Sequence, residues 1–115
     1  MADSCAEDPI DRNLFLARAG RPHCKPVAHL AQTHSLPSTA RFLLRGMMEG
    51  RKDPDMARML GAILERFDTR PESPHFGCCK WYAEETDVYD TNAAFFTCSP
   101  LATLWLAHRE ALAAD

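Results

Sequence analysis

The sequence predicts an all-α protein of about four helices, arranged as antiparallel helical hairpins with one long ordered loop. Three observations carry this expectation. Apolar residues recur at helical spacing in two stretches, Ala40 to Met48 and Met56 to Phe67. Pairs suited to helix starts stand at Asp8-Pro9, Pro37-Ser38 and Asp53-Pro54. No segment shows the alternation that a half-buried strand needs, apart from the short run Lys80 to Ala83.

Along the chain, Asp8 and Pro9 start a first helix with Ile10, Leu14 and Ala17 on one face, which Gly20 and Pro22 end. Arg21 to Pro37 holds three prolines and three histidines without a period, so it is a connector in which Val27 to Ala31 makes at most a short helical turn. The second helix opens at Pro37-Ser38-Thr39, buries Ala40, Leu43, Leu44, Met47 and Met48, and closes at Gly50. In the third, Asp53 caps, Pro54 takes the first position, and Met56, Met59, Leu60, Ile63, Leu64 and Phe67 form the stripe. Neither helix would persist alone in water, so the short link Gly50 to Asp53 implies that the two pack as a hairpin. A fourth helix runs from Thr91 or Asn92 to Ala113 with Phe95, Cys98, Leu101, Trp105, His108 and Leu112 on its face. Pro100 either starts a fresh helix there or kinks a longer one. The whole is a single domain over residues 1–115, with an N-terminal helix and connector in 1–36 and hairpins in 37–115.

A net charge of −3, with lysines and arginines scattered, gives no footprint for a phosphate backbone or an anionic bilayer, so neither nucleic acid nor membrane is an expected partner. The acidic start is unlike a secretory signal, and five cysteines without a framework spacing suit free thiols in a reducing compartment; the expected location is the cytoplasm. His23, Cys24, His29, His34, His75, Cys78, Cys79, Cys98 and His108 are candidate ligands without a recognised metal spacing, so neither a metal nor another cofactor is expected. Whether any cysteine lies beside a histidine is invisible in the letters.

The stretch Glu72 to Asn92 is the densest in functional side chains. Trp81, Tyr82 and Tyr89 offer flat apolar faces, and Glu84, Glu85, Asp87 and Asp90 offer hydroxyl acceptors, with Glu84, Glu85 and Asp90 the candidate general acids or bases. Aromatic faces beside carboxylates suit a sugar, whose ring has apolar C–H faces and a hydroxyl edge. The plainer alternative is that Trp81 and Tyr82 plug the end of the core while Asp90 or Thr91 caps the last helix.

The order Phe76-Gly77, Lys80-Trp81-Tyr82, Glu84-Glu85, Val88-Tyr89-Asp90-Thr91-Asn92-Ala93-Ala94-Phe95-Phe96 and Pro100-Leu101 resembles a helical hairpin of the α/α-toroid carbohydrate-active proteins, over Arg58 to Arg109. The resemblance implies that Trp81, Glu84, Glu85, Asp90 and Asn92 face a central cleft. A toroid closes with several such hairpins and this chain supplies at most two, which implies a partial ring or one assembled from several copies. The functional expectation is a carbohydrate-binding or carbohydrate-processing segment, with enzymatic activity left open. The alternative is a non-catalytic helical interaction module, or a homodimer joined through Met47, Met48, Met56 and Met59.

Overall fold

A computed structural model describes residues 8–113, with side chains through His108. Cys5 and the side chain of Leu112 therefore lie outside the described residues. The first apolar set forms a β-hairpin instead of a helix. Ile10–Asp11 (β1) pairs antiparallel with Leu16–Ala19 (β2), which places Ile10 opposite Ala17. Residues seven apart, which share a helical face, are here brought together by a turn. Asp11 makes that turn: its carbonyl accepts the amides of Leu14 (3.1 Å) and Phe15 (2.6 Å), and its Oδ1 accepts the amide of Asn13 at 2.9 Å. Such local side-chain bonds offer the backbone an alternative to the helix. Phe15 completes the reversal at φ 61°, a left-handed conformation that no helix interior accommodates.

Thr33–Ser35 (β3) adds to β2 with Ala17 opposite Ser35 and Ala19 opposite Thr33, giving an antiparallel sheet of order β1-β2-β3. A mixed fold, three helices with a three-stranded sheet, thus replaces the all-α expectation. β3 passes without a loop into α1 (Leu36–Met48): Ser35 ends the strand and its Oγ accepts the amide of Ser38 at 3.1 Å, capping the helix. Gly50, at φ 74°, ends the run in a conformation open to glycine. Leu36, Ala40 and Leu43 are its buried face.

Asp53 starts α2 (Met56–Leu64) through a turn, with Oδ1 on the amide of Asp55 at 2.9 Å and its carbonyl on that of Met56 at 3.3 Å. Met59, Ala62 and Ile63 are buried, and Phe67 falls beyond the helix, paired with Cys79 in an isolated bridge. α3 (Ala93–Ala113) runs through Pro100 unbroken and leaves helical geometry only at His108 (φ −132°, ψ 15°). Its buried face is Ala93, Thr97 and Leu104, with Leu101 packed beside them. The stripe expected from sequence is turned outward: Phe95, Cys98 and Trp105 are exposed.

The helical-hairpin arrangement is also overturned, because α1 packs chiefly against α3, and no more against its neighbour α2 than against β2. One core joins Ile10, Leu16, Leu36, Leu43, Met59 and Ile63 with Cys79 and Leu104. Of the four methionines expected to form a dimer stripe, Met59 is in this core, Met47 and Met56 pack on it, and Met48 alone is well exposed. Among the described residues no helix is long and apolar enough to cross a membrane.

Polar side chains tie the segments together. His34 lies between two carboxylates, with Nε2 2.9 Å from Asp11 Oδ2 and Nδ1 against Glu84 Oε2, while its backbone amide donates to Glu84 Oε1. Arg12 reaches from the hairpin turn to the start of α2, with Nη1 2.9 Å from Asp53 Oδ1 and 2.8 Å from Asp55 Oδ2. The hydrogen bond from Arg12 holds Asp53 below the ordinary carboxylate range, and bonds from Arg70 and Ser73 hold Asp68 lower still. A carboxylate lowered on folding contributes stability that is fully present above the unfolded value, about 4, and lost as the pH falls through the folded one. The melting temperature is therefore expected to drop steeply below about pH 4. Arg12→Gln should flatten part of that drop, as scanning calorimetry across the acid range would show.

Candidate functional site

The segment 81–83 lies along the free edge of β3, because the amide of Leu36 donates to the Trp81 carbonyl (2.9 Å) and that of Ala83 to the His34 carbonyl (2.8 Å). Neighbouring side chains in extended backbone point to opposite sides. Tyr82 consequently turns inward against Cys24 and Val27, where burial raises its hydroxyl above the usual value. Trp81 stays half-buried nearer the surface.

Tyr82 Oη accepts the backbone amide of His23 at 3.3 Å and lies 2.9 Å from its Nδ1. The opposite ring nitrogen, Nε2, is 3.0 Å from Asp90 Oδ2. This contact, its largest influence, keeps Asp90 below the ordinary carboxylate range and hence ionised at neutral pH. Asp90 also shapes the entry to α3, its Oδ1 accepting the amide of Asn92 (3.0 Å) and its carbonyl that of Ala93 (3.0 Å). Asp90 thus shapes the turn that leads into α3, with one carboxylate oxygen on Asn92 and the other on His23.

Around this polar edge stand aromatic rings. His23 meets Trp81 edge to face at 4.4 Å, Trp81 lies 5.3 Å from Phe96, and Phe96 lies 5.3 Å from Phe95. These spacings are those of attractive aromatic pairs. Phe96 and the His23 ring are each about half exposed.

Of the residues singled out from sequence, Trp81, Tyr82 and Asp90 come together, with Asn92 attached through its backbone. Tyr89, beside Asp90 in the chain, is 50% exposed. Glu84 and Glu85 do not face this surface. Glu84 spends both oxygens on His34. Glu85 is 2% exposed, with Oε1 on the amide of Trp81 at 3.2 Å and the buried Cys24 thiol beside it. Asp87 lines a separate polar hollow of about 370 Å³ with Asp68, Arg70 and Lys80. A larger groove of about 730 Å³ runs between Met47, Lys52, Met56 and His108. Neither hollow contains Trp81, Tyr89, Asp90 or Asn92. The aromatic site lies outside both hollows, and the cleft-facing placement of Glu84 and Glu85 implied by the toroid resemblance is corrected.

The sequence signals missed His23 and Phe96. His23 sits in a stretch with no local period, and only the fold carries it to Trp81. Cys24 does lie beside it, Sγ 3.6 Å from His23 Nε2, but the thiol is fully buried. Burial first, then a hydrogen bond to the neighbouring Glu85 carboxylate and its charge, pushes it up to about 12. A thiol so raised supplies no thiolate nucleophile at neutral pH. Cys79 behaves similarly, pushed up to about 11 by burial beside Thr97. Among the described residues no group of three histidine, cysteine, aspartate or glutamate side chains is placed to hold a metal ion. The chain matches no protein-family model, no curated protein and no solved structure.

Proposed function

We propose that this protein binds carbohydrate, without hydrolysing it, on the surface formed by Trp81, Phe96, His23, Asp90 and Asn92. The observation that carries the proposal is the pairing of Trp81 and Phe96 at 5.3 Å with an ionised carboxylate, Asp90, oriented by His23 at 3.0 Å. Apolar C–H faces of a sugar stack on the rings, and its hydroxyls donate to Asp90. Glycoside hydrolysis generally uses two carboxyl groups flanking the bond. Only one of the three candidates stands at this surface, since Glu84 is bound to His34 and Glu85 is buried, and this supports binding over catalysis.

Glycan-array screening followed by titration calorimetry tests the proposal. Wild type is expected to retain at least one glycan. Trp81→Ala should weaken that binding by at least about tenfold, the equivalent of about 1.4 kcal/mol. Asp90→Asn should weaken it less, because an amide keeps one acceptor oxygen. No bound glycan at millimolar concentration, or a Trp81→Ala variant that binds as tightly as wild type, would overturn the reading.

A further inference from the structure

Helix α3 buries one apolar face and leaves a second one bare. On the outer side Phe95 is 66% exposed, Trp105 57% and Leu106 72%, with exposed Cys98 and Ala102 between them. Positions 95, 98, 102 and 105 recur in the alternating steps of three and four that form a coiled-coil seam. At about 1.5 Å per residue the stripe is roughly 15 Å long. No charged residue occurs from Ala93 to Ala107, so neither the stripe nor its flanks carry a charge.

We infer that a second copy of this chain covers the stripe, the two α3 helices pairing antiparallel about a two-fold axis level with residue 100. In such a pair, position 95 of one copy stands level with 105 of the other, and 98 with 102. The order of side chains matches that symmetry, running large, small, small, large from Phe95 through Cys98 and Ala102 to Trp105. Each Phe95 ring meets the Trp105 of the second copy, and the small central residues let the backbones approach. A symmetric pair sets every group opposite its own kind of surface, which a charged stripe would oppose and this one permits.

The area sets the strength. Given the exposures and the 150–250 Å² that an aromatic side chain buries, the three large residues offer roughly 350 Å² per copy. With the flanks, the interface totals on the order of 1,000 Å², at the lower edge of specific association. The dimer is therefore reversible, with a dissociation constant in the micromolar range. This inference does not depend on the carbohydrate proposal: Phe95 touches Phe96, but Trp105 stands nine residues beyond Phe96 along the helix, and the Trp105 variant tests the stripe apart from that surface.

Sedimentation velocity on the full chain up to about 500 μM, a range that brackets micromolar affinity, tests it. Wild type is expected to pass from monomer to dimer with rising concentration. Phe95→Glu and Trp105→Glu change exposed side chains, and circular dichroism should show them folded; each should stay monomeric throughout. In a background carrying Cys5→Ser and Cys78→Ser, a short bismaleimide should link the dimers through Cys98 and fail with Cys98→Ser. A wild type that is monomeric at the highest concentration, a dimer that persists in both glutamate variants, or cross-linking that survives Cys98→Ser would each overturn the inference. So would a monomer that binds neutral phosphatidylcholine vesicles and loses that binding in Trp105→Glu, since a lipid surface would then be the occupant.

Discussion

Ile63→Ala is expected to remove about 2–5 kcal/mol of stability, the range for truncating a large aliphatic side chain in a packed core. Two features place this site high in the range. α2 is only nine residues long, below the length at which an isolated helix holds its shape in water, so it owes its existence to packing. Ile63 and Met59 are both fully buried and, with Ala62, make up the buried part of the helix. A domain of this size has a total stability of about 5–15 kcal/mol, so the variant should stand near the edge of unfolding. Urea denaturation should show a lowered midpoint with an unchanged slope. Leu64→Ala, one residue away but 61% exposed, should move the midpoint by no more than about 0.5 kcal/mol. Equal effects at the two positions would mean that α2 does not face the core as described.

Glu85→Gln is expected to act in the opposite direction and stabilise the fold by about 1–2 kcal/mol at neutral pH. A buried carboxylate is tolerated when its oxygens are well paired, and here the pairing is weak: Oε1 accepts the Trp81 amide, and the carboxylate's other neighbour is the buried Cys24 thiol, a weak donor. Glutamine keeps the shape and the Oε1 acceptor, and a neutral amide costs less to bury than a carboxylate, although its NH2 group faces the Cys24 sulfur, a weak acceptor. It also removes one of the charges that raise Cys24. The check is paired chemical denaturation of wild type and variant in the same buffer. A loss of stability would show that the carboxylate charge is satisfied in the folded protein and would remove the argument from burial.

The helices that were legible in the sequence are those whose apolar period agrees with a single buried face. Leu36, Ala40 and Leu43 in α1, and Met59 and Ile63 in α2, are of this kind. In the sheet, Ile10 and Ala17 are buried and apolar but stand at a spacing that also fits a helix, and β3 was not legible because its buried positions are not apolar. Thr33 and Ser35 sit inside β3 at 0% and 3% exposure, their hydrogen bonds made locally: Thr33 Oγ1 donates to the Gly20 carbonyl, and the Ser35 carbonyl accepts Thr39 Oγ1. Burial settled by hydrogen bonding leaves no mark on a hydrophobicity pattern. The α3 face was misplaced for a different reason. Both of its sides are apolar, so periodicity alone cannot choose, and α1 takes the side with small Ala93 and Thr97. At the candidate site the density of residues 81–92 pointed to Trp81, Tyr82 and Asp90. His23 and Phe96 become neighbours of Trp81 only through long-range contacts, which no local spacing encodes.

The direct passage from β3 into α1 at Ser35 has a consequence for any ligand. With no loop between strand and helix there is no hinge, and the segment 81–83, hydrogen-bonded to His34 and Leu36 at that junction, shares the rigid frame of both. A binding surface built on such a frame is preorganised. Little conformational freedom is left to be lost when a ligand arrives, so affinity comes from the contacts themselves and selectivity from the fixed spacing of ring and carboxylate.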